Sequence, residues 1–548
     1  MILATAQDMV TSRNKYLIFI RRAGPSLVLA LLLAVFLLTG WIGLDFGYHW
    51  DEQFALEEVS RPLETGVFLP RSYNYPSMVF DIGTVVLLPK TIPFLVKIAR
   101  ESRPFYVQPY HELVPKEKAA PLVEFAKSKV FLLRMRAVFL VLTSLTGVWV
   151  FIAVRACKRS GWEAVFASAV ILTSWEIGYH ARWVAPDTIQ MQFTALWLMF
   201  FALALHSASR PVLWLRLSAA ATGLACGTKY QSGILLVPVM IYAALVVHAS
   251  APSRPRRNAA KEVMYNVVIF TGALLISSPG LLLEPLIFWQ SVRAIGQQYV
   301  TGHLGYTVGA FGQHGCLLLW YLTCVLTSHW PAAGLLLWAV ACLGVAVMWK
   351  ERPAAAMLLL CAPVIYVLFV TCYRVMIVRN YLLFAPFIAF FCARGAFHIW
   401  RALAAAVWIR RLVVTCFLVL FIANGIFLWV AAETIRPHTV RTGAEIVAYL
   451  KKHSKEQYFL SPRVVAAMAT EKAILNNTTP DPKVAQRYIL HSEDAERTKY
   501  SCNRPGQYER VSGPLEVNFD YYADWQGQAR VVDLSMQRAR EMQLVPKP

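Results

Sequence analysis

The sequence predicts an all-α polytopic membrane domain of about 11 transmembrane helices plus interfacial helices, followed by a small C-terminal α/β extracytoplasmic domain. Three observations predict it. Hydrophobic residues make up 57% of the 548 residues and charged residues only 16%, with a mean hydropathy of +0.48; a soluble chain of this length carries more charge. Apolar runs near the roughly 20 residues that a spanning helix needs recur along the first 432 residues. The basic residues sit in short clusters at alternate ends of those runs.

The expected spans are residues 23–44, 131–154, 162–181, 188–206, 212–228, 233–249, 262–283, 330–349, 354–372, 380–398 and 412–432. The first apolar run lacks a small-residue cleavage site, so it reads as a retained helix. Arg13, Lys15, Arg21 and Arg22 precede span one, and Arg155, Lys158 and Arg159 follow span two. Arg210 and Arg216, then Arg254, Arg256, Arg257 and Lys261, follow spans four and six. Lys350 and Arg352, then Arg394, Arg401, Arg410 and Arg411, follow spans eight and ten. All fit one cytoplasmic side if the N-terminus is inside. The net charge of +21 is therefore topological and does not describe a nucleic-acid-binding surface.

Two apolar stretches fit less simply. Residues 76–98 contain Pro76, Pro89, Lys90 and Pro93, and residues 316–329 would spoil the parity if they crossed. Both are expected to be interfacial or re-entrant; a thirteen-span arrangement keeps the same sides. Residues 1–432 form the expected membrane domain, with 45–130 as its first outer loop. Residues 433–548 form the expected outer domain, with an amphipathic helix and short strand in 439–462 and a strand in 514–525. Asn476 and Asn477 match the glycosylation pattern, which is short and common. The ten cysteines lie mostly in apolar runs without ligand spacing, so neither disulfides nor structural zinc are expected.

This topology puts the unusual charges on the outer face. Asp51 and Glu52 follow the first span directly, between the aromatics Tyr48 and Trp50 and Phe54. Asp187 is the only aspartate between Asp81 and Asp481. It can cap the fourth span, or it can be a functional carboxylate kept beside a bilayer at a cost. Glu176 reads as a structural partner for a neighbouring base. Arg182, Lys229, Arg374 and Arg379 also fall outside the cytoplasmic clusters. Each can snorkel to the interface, or together they can hold the phosphate of an anionic lipid-linked substrate while an acid acts on a hydroxyl.

Four stretches resemble the GT-C class of membrane glycosyltransferases, nearest the dolichyl-phosphate-mannose protein mannosyltransferase superfamily with its bacterial aminoarabinose transferases. They are "HWDEQFALEEVSRPLETG", "YNYPSMVFDIG", "ARWVAPDTIQMQF" followed by "GLACGTKYQSGILLVP", and "VRNYLLFAPFIAF". The likeness covers about residues 23–432. Relatives often carry His or Lys with Pro-Pro-Leu where this chain has Asn74-Tyr75-Pro76-Ser77-Met78; Arg71 is the candidate substitute for the missing phosphate-binding lysine. The loop 284–314 is too short for the β-rich insert of the protein mannosyltransferases, which weakens protein as acceptor.

The resemblance implies a polyprenyl-phosphate-linked sugar donor, transferred with inversion to a hydroxyl of a lipid, glycan or protein on the extracytoplasmic face. Asp51 is the expected general base, with Glu52 raising its basicity or orienting it. Asp187 would orient the acceptor or the base. Arg379 is the first candidate for the leaving phosphate, supported by Arg374 and Lys229. Tyr48 and Trp50 can stack on a sugar or belong to the interfacial belt. No cofactor is expected. A divalent metal stays open, with Asp51, Glu52, Asp187, His303 and His314 as available ligands. The rival classes are a transporter or lipid-handling protein, against which the charges cluster on one face without inverted symmetry, and a scaffold with a partner-binding outer domain. The expected setting is a multi-pass protein of a cell inner or plasma membrane, acting on the cell envelope.

Overall fold

The computed structural model describes residues 23–42, 44, 50–101, 116–157, 159–206, 210–250, 257–302 and 307–460, and short stretches between 465 and 546. Helix α1 (Ala23–Trp41) leads to α2 (Trp50–Thr65), α3 (Met78–Glu101) and α4 (Lys116–Ala126). Then come α5 (Lys129–Ala156), α6 (Gly161–Leu172), α7 (Trp175–His180), α8 (Pro186–His206) and α9 (Pro211–Cys226). A 3-10 turn (Tyr230–Leu235) opens α10 (Leu236–Ser250), followed by α11 (Arg257–Ser277), α12 (Gly280–Leu283) and α13 (Pro285–Thr301). Helices α14 (Gly312–Cys324), α15 (Pro331–Glu351) and α16 (Pro353–Thr371) precede a second 3-10 turn (Val378–Phe384), α17 (Ala385–Ala402) and α18 (Val407–Lys452).

Among the described residues, nine helices are long and apolar enough to cross a membrane. Eight of them coincide with expected spans, and the ninth is α3 at Met78–Ile98. The remaining three expected spans are shorter apolar helices, Gly161–Leu172, Pro211–Cys226 and Tyr230–Leu245. The chain is thus a helical, multi-pass membrane protein. Helix α14 has 13 residues, roughly 20 Å, too short to span, as expected for 316–329. Helix α3 reaches spanning length with Pro89 and Pro93 in its interior.

The third expected span, 162–181, is instead broken. Thr173 closes α6, and Ser174 restarts the chain as the N-cap of α7, accepting from the Ile177 N–H at 3.3 Å. Ser174 also donates to the Leu326 carbonyl at 2.7 Å. Two short serine- and threonine-capped helices replace one long one, because a capping hydroxyl offers the backbone an alternative partner. This break frees residues 181–185 to form the loop before Asp187.

Helices α8 and α17 are central: 72% and 83% of their apolar windows are buried, against 11% for α11 and for the apolar part of α18. Gly344 of α15 and Gly395 of α17 meet without room for a Cβ on either, so the two backbones touch, as small residues allow between membrane helices. Helix α18 runs unbroken through residue 432 into the tail. There β1 (Tyr458–Leu460), β2 (Thr478–Thr479), β3 (Arg487–His491), β4 (Tyr508–Ser512) and β5 (Gln543–Pro546) form a sheet of order β2-β1-β3-β4-β5. Pairings β1–β2, β1–β3 and β3–β4 are parallel and β4–β5 is antiparallel. The strand expected in 514–525 lies outside the described residues. Asn477, one of the two glycosylation-pattern asparagines, is buried and donates to the Leu450 carbonyl at 2.9 Å.

Candidate functional site

Asp187 sits in the first turn of α8, directly after Pro186. Pro at the first helical position and an acid beside it suit a helix start, where the N–H groups are unpaired and the dipole is positive. Capping is not its main contact. Its carboxylate takes Lys229 Nζ in a very short ion pair, and Arg379 Nε stands 3.5 Å from its second oxygen. Lys229 precedes the 3-10 turn that opens α10. Arg379 lies in the 3-10 turn that opens α17. All three side chains are at most 2% exposed. Three charges removed from water in this way are expensive unless they are paired. Among the described contacts, one carboxylate faces two cations.

Asn380 completes the cluster. Its Oδ1 accepts from Lys229 at 2.5 Å, and its Nδ2 donates to the Tyr299 hydroxyl at 3.0 Å. The Tyr366 hydroxyl donates to its backbone carbonyl at 3.1 Å. Lys229 also faces the Tyr75 ring at 5.5 Å. A cavity of about 220 Å³ opens on this group, with Tyr75, Lys229, Tyr299, Tyr366, Asn380 and Tyr381 in its wall. Among the described residues, Lys229 is the one cation in that wall. Arg379 stands behind it, over the Trp183 ring at 5.2 Å.

Glu52 lies in the first turn of α2 and is buried. It accepts from Arg136 Nε at 2.8 Å and Nη2 at 2.5 Å, and from the Val184 N–H at 3.0 Å. Arg136 in turn donates to the Leu44 carbonyl at 2.8 Å. The carboxylate therefore ties α2 to α5 and to the loop leading to Asp187. Its charge is matched by a fork of two N–H groups, so like-charge pressure on Asp51 is not its evident task. Asp51 shares that first turn, and its side chain lies outside what the structure describes, as does Tyr48 as a whole. Trp50 opens the same helix.

The other expected residues stand apart from the Asp187 cluster. Arg182 donates to the Thr39 carbonyl at 2.9 Å and lies over Trp175 at 5.6 Å, pinning the loop before α8 to α1. Arg374 is exposed; its backbone joins the Tyr299 carbonyl and the Val308 N–H, beside the cavity residues Tyr373 and Val375. Arg71, at φ 57°, pairs with Glu284 at 2.9 Å, whose other oxygen accepts from Tyr73 at 2.8 Å. Glu176 does partner a base, His180, at 3.2 Å, and also accepts from Tyr321 at 2.9 Å. His303 lies outside the described residues. His314 is buried between the Tyr373 carbonyl at 2.8 Å and the Tyr381 hydroxyl at 2.5 Å. Among the described residues, no group of three or more His, Cys, Asp or Glu stands together as metal ligands.

Sequence reasoning does not single out Arg136, Asn380, Tyr299 or Tyr381. Arg136 had a readable signal: a charge in the middle of an apolar run needs a partner. Asn380 and Tyr381 sit in the quoted "VRNYLLF" beside Arg379, and only the fold shows that they share a wall with Lys229.

The superfamily resemblance read from the sequence is matched by a family model over one of its four motif regions. Residues 126–282 match the family model described as dolichyl-phosphate-mannose-protein mannosyltransferase, a stretch that holds Asp187 and Lys229. No curated protein sequence matches the chain. Among solved structures, ArnT from Cupriavidus metallidurans bound to undecaprenyl phosphate is similar with a TM-score of 0.46 and 15% identity, over 82% of this chain and 75% of that one. The archaeal oligosaccharyltransferase AglB from Archaeoglobus fulgidus, in complex with an inhibitory peptide and a dolichol-phosphate, is similar with a TM-score of 0.48 and 11% identity. That likeness covers 86% of this chain and 63% of AglB, so the chain spans less than two thirds of that relative's length.

Proposed function

We propose that the protein is a membrane glycosyltransferase that moves a sugar from a polyprenyl-phosphate donor to an acceptor hydroxyl on the extracytoplasmic face, with inversion. The observation that carries this reading is the buried Asp187–Lys229–Arg379 cluster, whose Lys229 lines a cavity of about 220 Å³; Asp187 and Lys229 fall in the stretch that matches the mannosyltransferase family. Buried cations at such a site stabilise charge that grows on a leaving phosphate.

The acceptor oxygen attacks the anomeric carbon as the bond to the phosphate oxygen breaks. The electron pair leaves on the polyprenyl phosphate, and the acceptor proton passes to a carboxylate. Asp51 is that carboxylate in our reading. The support is its neighbour: Glu52 holds the first turn of α2 against Val184, three residues before Asp187. Lys229 meets the phosphate. Arg379 adds charge from behind, and Asp187 fixes both cations. No metal is invoked in these steps.

The test is reconstitution of the full chain with farnesyl-phosphate-linked mannose, glucose, galactose and arabinose, and a cell-envelope extract as acceptor. Release of farnesyl phosphate with appearance of a glycosylated product is the expected result. Asp51→Asn should lower it by about 10²-fold or more with normal membrane insertion. Full turnover by Asp51→Asn would remove it as the base. No turnover of any donor by wild type, in the presence of folded protein, would overturn the glycosyltransferase reading.

A further inference from the structure

The Tyr381 hydroxyl has its hydrogen-bond direction fixed from behind. His314 Nδ1 lies 2.8 Å from the Tyr373 carbonyl, which can only accept. Nδ1 therefore carries the proton. In the neutral ring Nε2 is then an acceptor, and it stands 2.5 Å from the Tyr381 oxygen. Burial lowers the His314 pKa, which favours that neutral ring. Tyr381 thus spends its only proton on His314, and its oxygen keeps lone pairs alone.

Tyr381 is also part of the cavity wall, with Lys229 and Asn380. Two polar residues of that wall are complementary. Lys229 can only donate, which suits phosphate oxygens. Tyr381 can only accept, which repels a phosphate and suits a hydroxyl. The neighbouring Tyr366 oxygen differs, because its proton goes to the Asn380 carbonyl and it also hydrogen-bonds Gln231 and Gln190.

We infer that Tyr381 is a specificity-determining residue that accepts a hydrogen bond from a substrate hydroxyl, with His314 as the positioning residue that sets its orientation. The inference rests on the glycosyltransferase reading and deepens it. It makes the cavity select for a hydroxylated ring at a fixed distance from the phosphate. It adds no proton transfer to the reaction.

The experiment uses the reconstituted full chain, the best farnesyl-phosphate sugar among the four above, and its monodeoxy analogues. Wild type should lose about tenfold or more in kcat/KM with one deoxy donor, because a buried acceptor is left without its partner. Tyr381→Phe should lower kcat/KM for the parent donor to a similar extent and discriminate against that deoxy donor by less than about threefold. His314→Leu should blur the discrimination. His314→Gln, which can donate to the Tyr373 carbonyl and accept from Tyr381, should restore it. A merely structural role for either residue would lower all donors equally and leave the ratio unchanged. The hydroxyl could belong to the sugar or to the acceptor, so donor hydrolysis without acceptor is measured in parallel. Discrimination that persists there assigns Tyr381 to the sugar; discrimination seen only with an acceptor present, on trimmed acceptors, assigns it to the acceptor. Equal losses for parent and deoxy donors in Tyr381→Phe, with wild type active, overturn this inference alone. An inactive wild type removes the underlying reading as well.

Discussion

Charge gathers at two levels along helices α8 and α17, and the two levels differ. At their starts, Asp187, Lys229 and Arg379 are nearly fully buried beside a cavity of about 220 Å³. Farther along α17, nine residues and roughly 14 Å past its first residue, Arg394 pairs with Glu351 and lies 3.9 Å from Glu163. Arg159 and Arg401 reach the same two carboxylates, at 3.1 Å and 3.8 Å. There Glu351 and Arg401 stay 45% and 53% exposed, and the enclosed space is only about 20 Å³, enough for a water molecule and little more. Both levels mix acids and arginines. One level encloses room for a substrate, and the other joins helix ends. Enclosed space separates them, and charge content does not.

The sharpest break of this comparison is topological. In a cysteine-depleted background, an impermeant thiol reagent applied outside should label a cysteine placed at Glu117 and leave one at Arg352 untouched. The reverse pattern would turn the protein over and remove the extracytoplasmic reading. Next in size is Asp187→Asn against Glu351→Gln. The first leaves two buried cations without their anion, at a cost of about 3–5 kcal/mol, and should abolish transfer by about 10²-fold with a lower unfolding temperature. The second removes a half-exposed carboxylate from buried Arg394, which keeps Glu163 at 3.9 Å, and should leave transfer within about twofold. Similar losses in both would make the two levels equivalent.

Arg379→Lys gives a smaller effect. The stacked guanidinium over Trp183 and beside Asp187 suits a planar fork, which lysine lacks. About tenfold slower transfer at unchanged protein yield is expected, and equal kinetics would reduce Arg379 to a snorkelling residue. The smallest effect concerns Glu58 of α2, whose pKa burial raises to about 7, partly offset by Arg61 and Ser72. A carboxyl raised above its unfolded value contributes stability below pH 4.5 and loses it as pH rises to about 7. Glu58→Gln should therefore flatten the unfolding temperature between pH 4.5 and 7 and raise it slightly at pH 8. An unchanged pH profile would show that Glu58 titrates normally.

The membrane domain was readable because spanning helices must be long and apolar, and that requirement is written in composition. The break at Thr173–Ser174 was not, since hydrophobicity passes through it unchanged and only the capping hydroxyls mark it. Asp187, Lys229 and Arg379 were legible as charges out of place. Their mutual contact was not, because it joins residues 42 and 192 positions apart in sequence through the packing of α8, α10 and α17. Tyr381 and His314 were illegible as a pair for the same reason: a tyrosine at the end of an apolar run looks interfacial until its partner is known. Glu52 beside Asp51 looked like half of a reactive pair, and its actual partner, Arg136, is 84 residues away.

That last contact has a consequence for how the chain is made. Glu52 reaches Val184, 132 residues later in the sequence. At roughly 5–20 residues per second, the acidic turn leaves the ribosome about 7–26 s before the loop it must grip. Throughout that interval its carboxylate has no Val184 amide to meet. The turn that begins α2 is thus synthesised early and locked late, and its docking waits for α5, α6 and α7 to be in place.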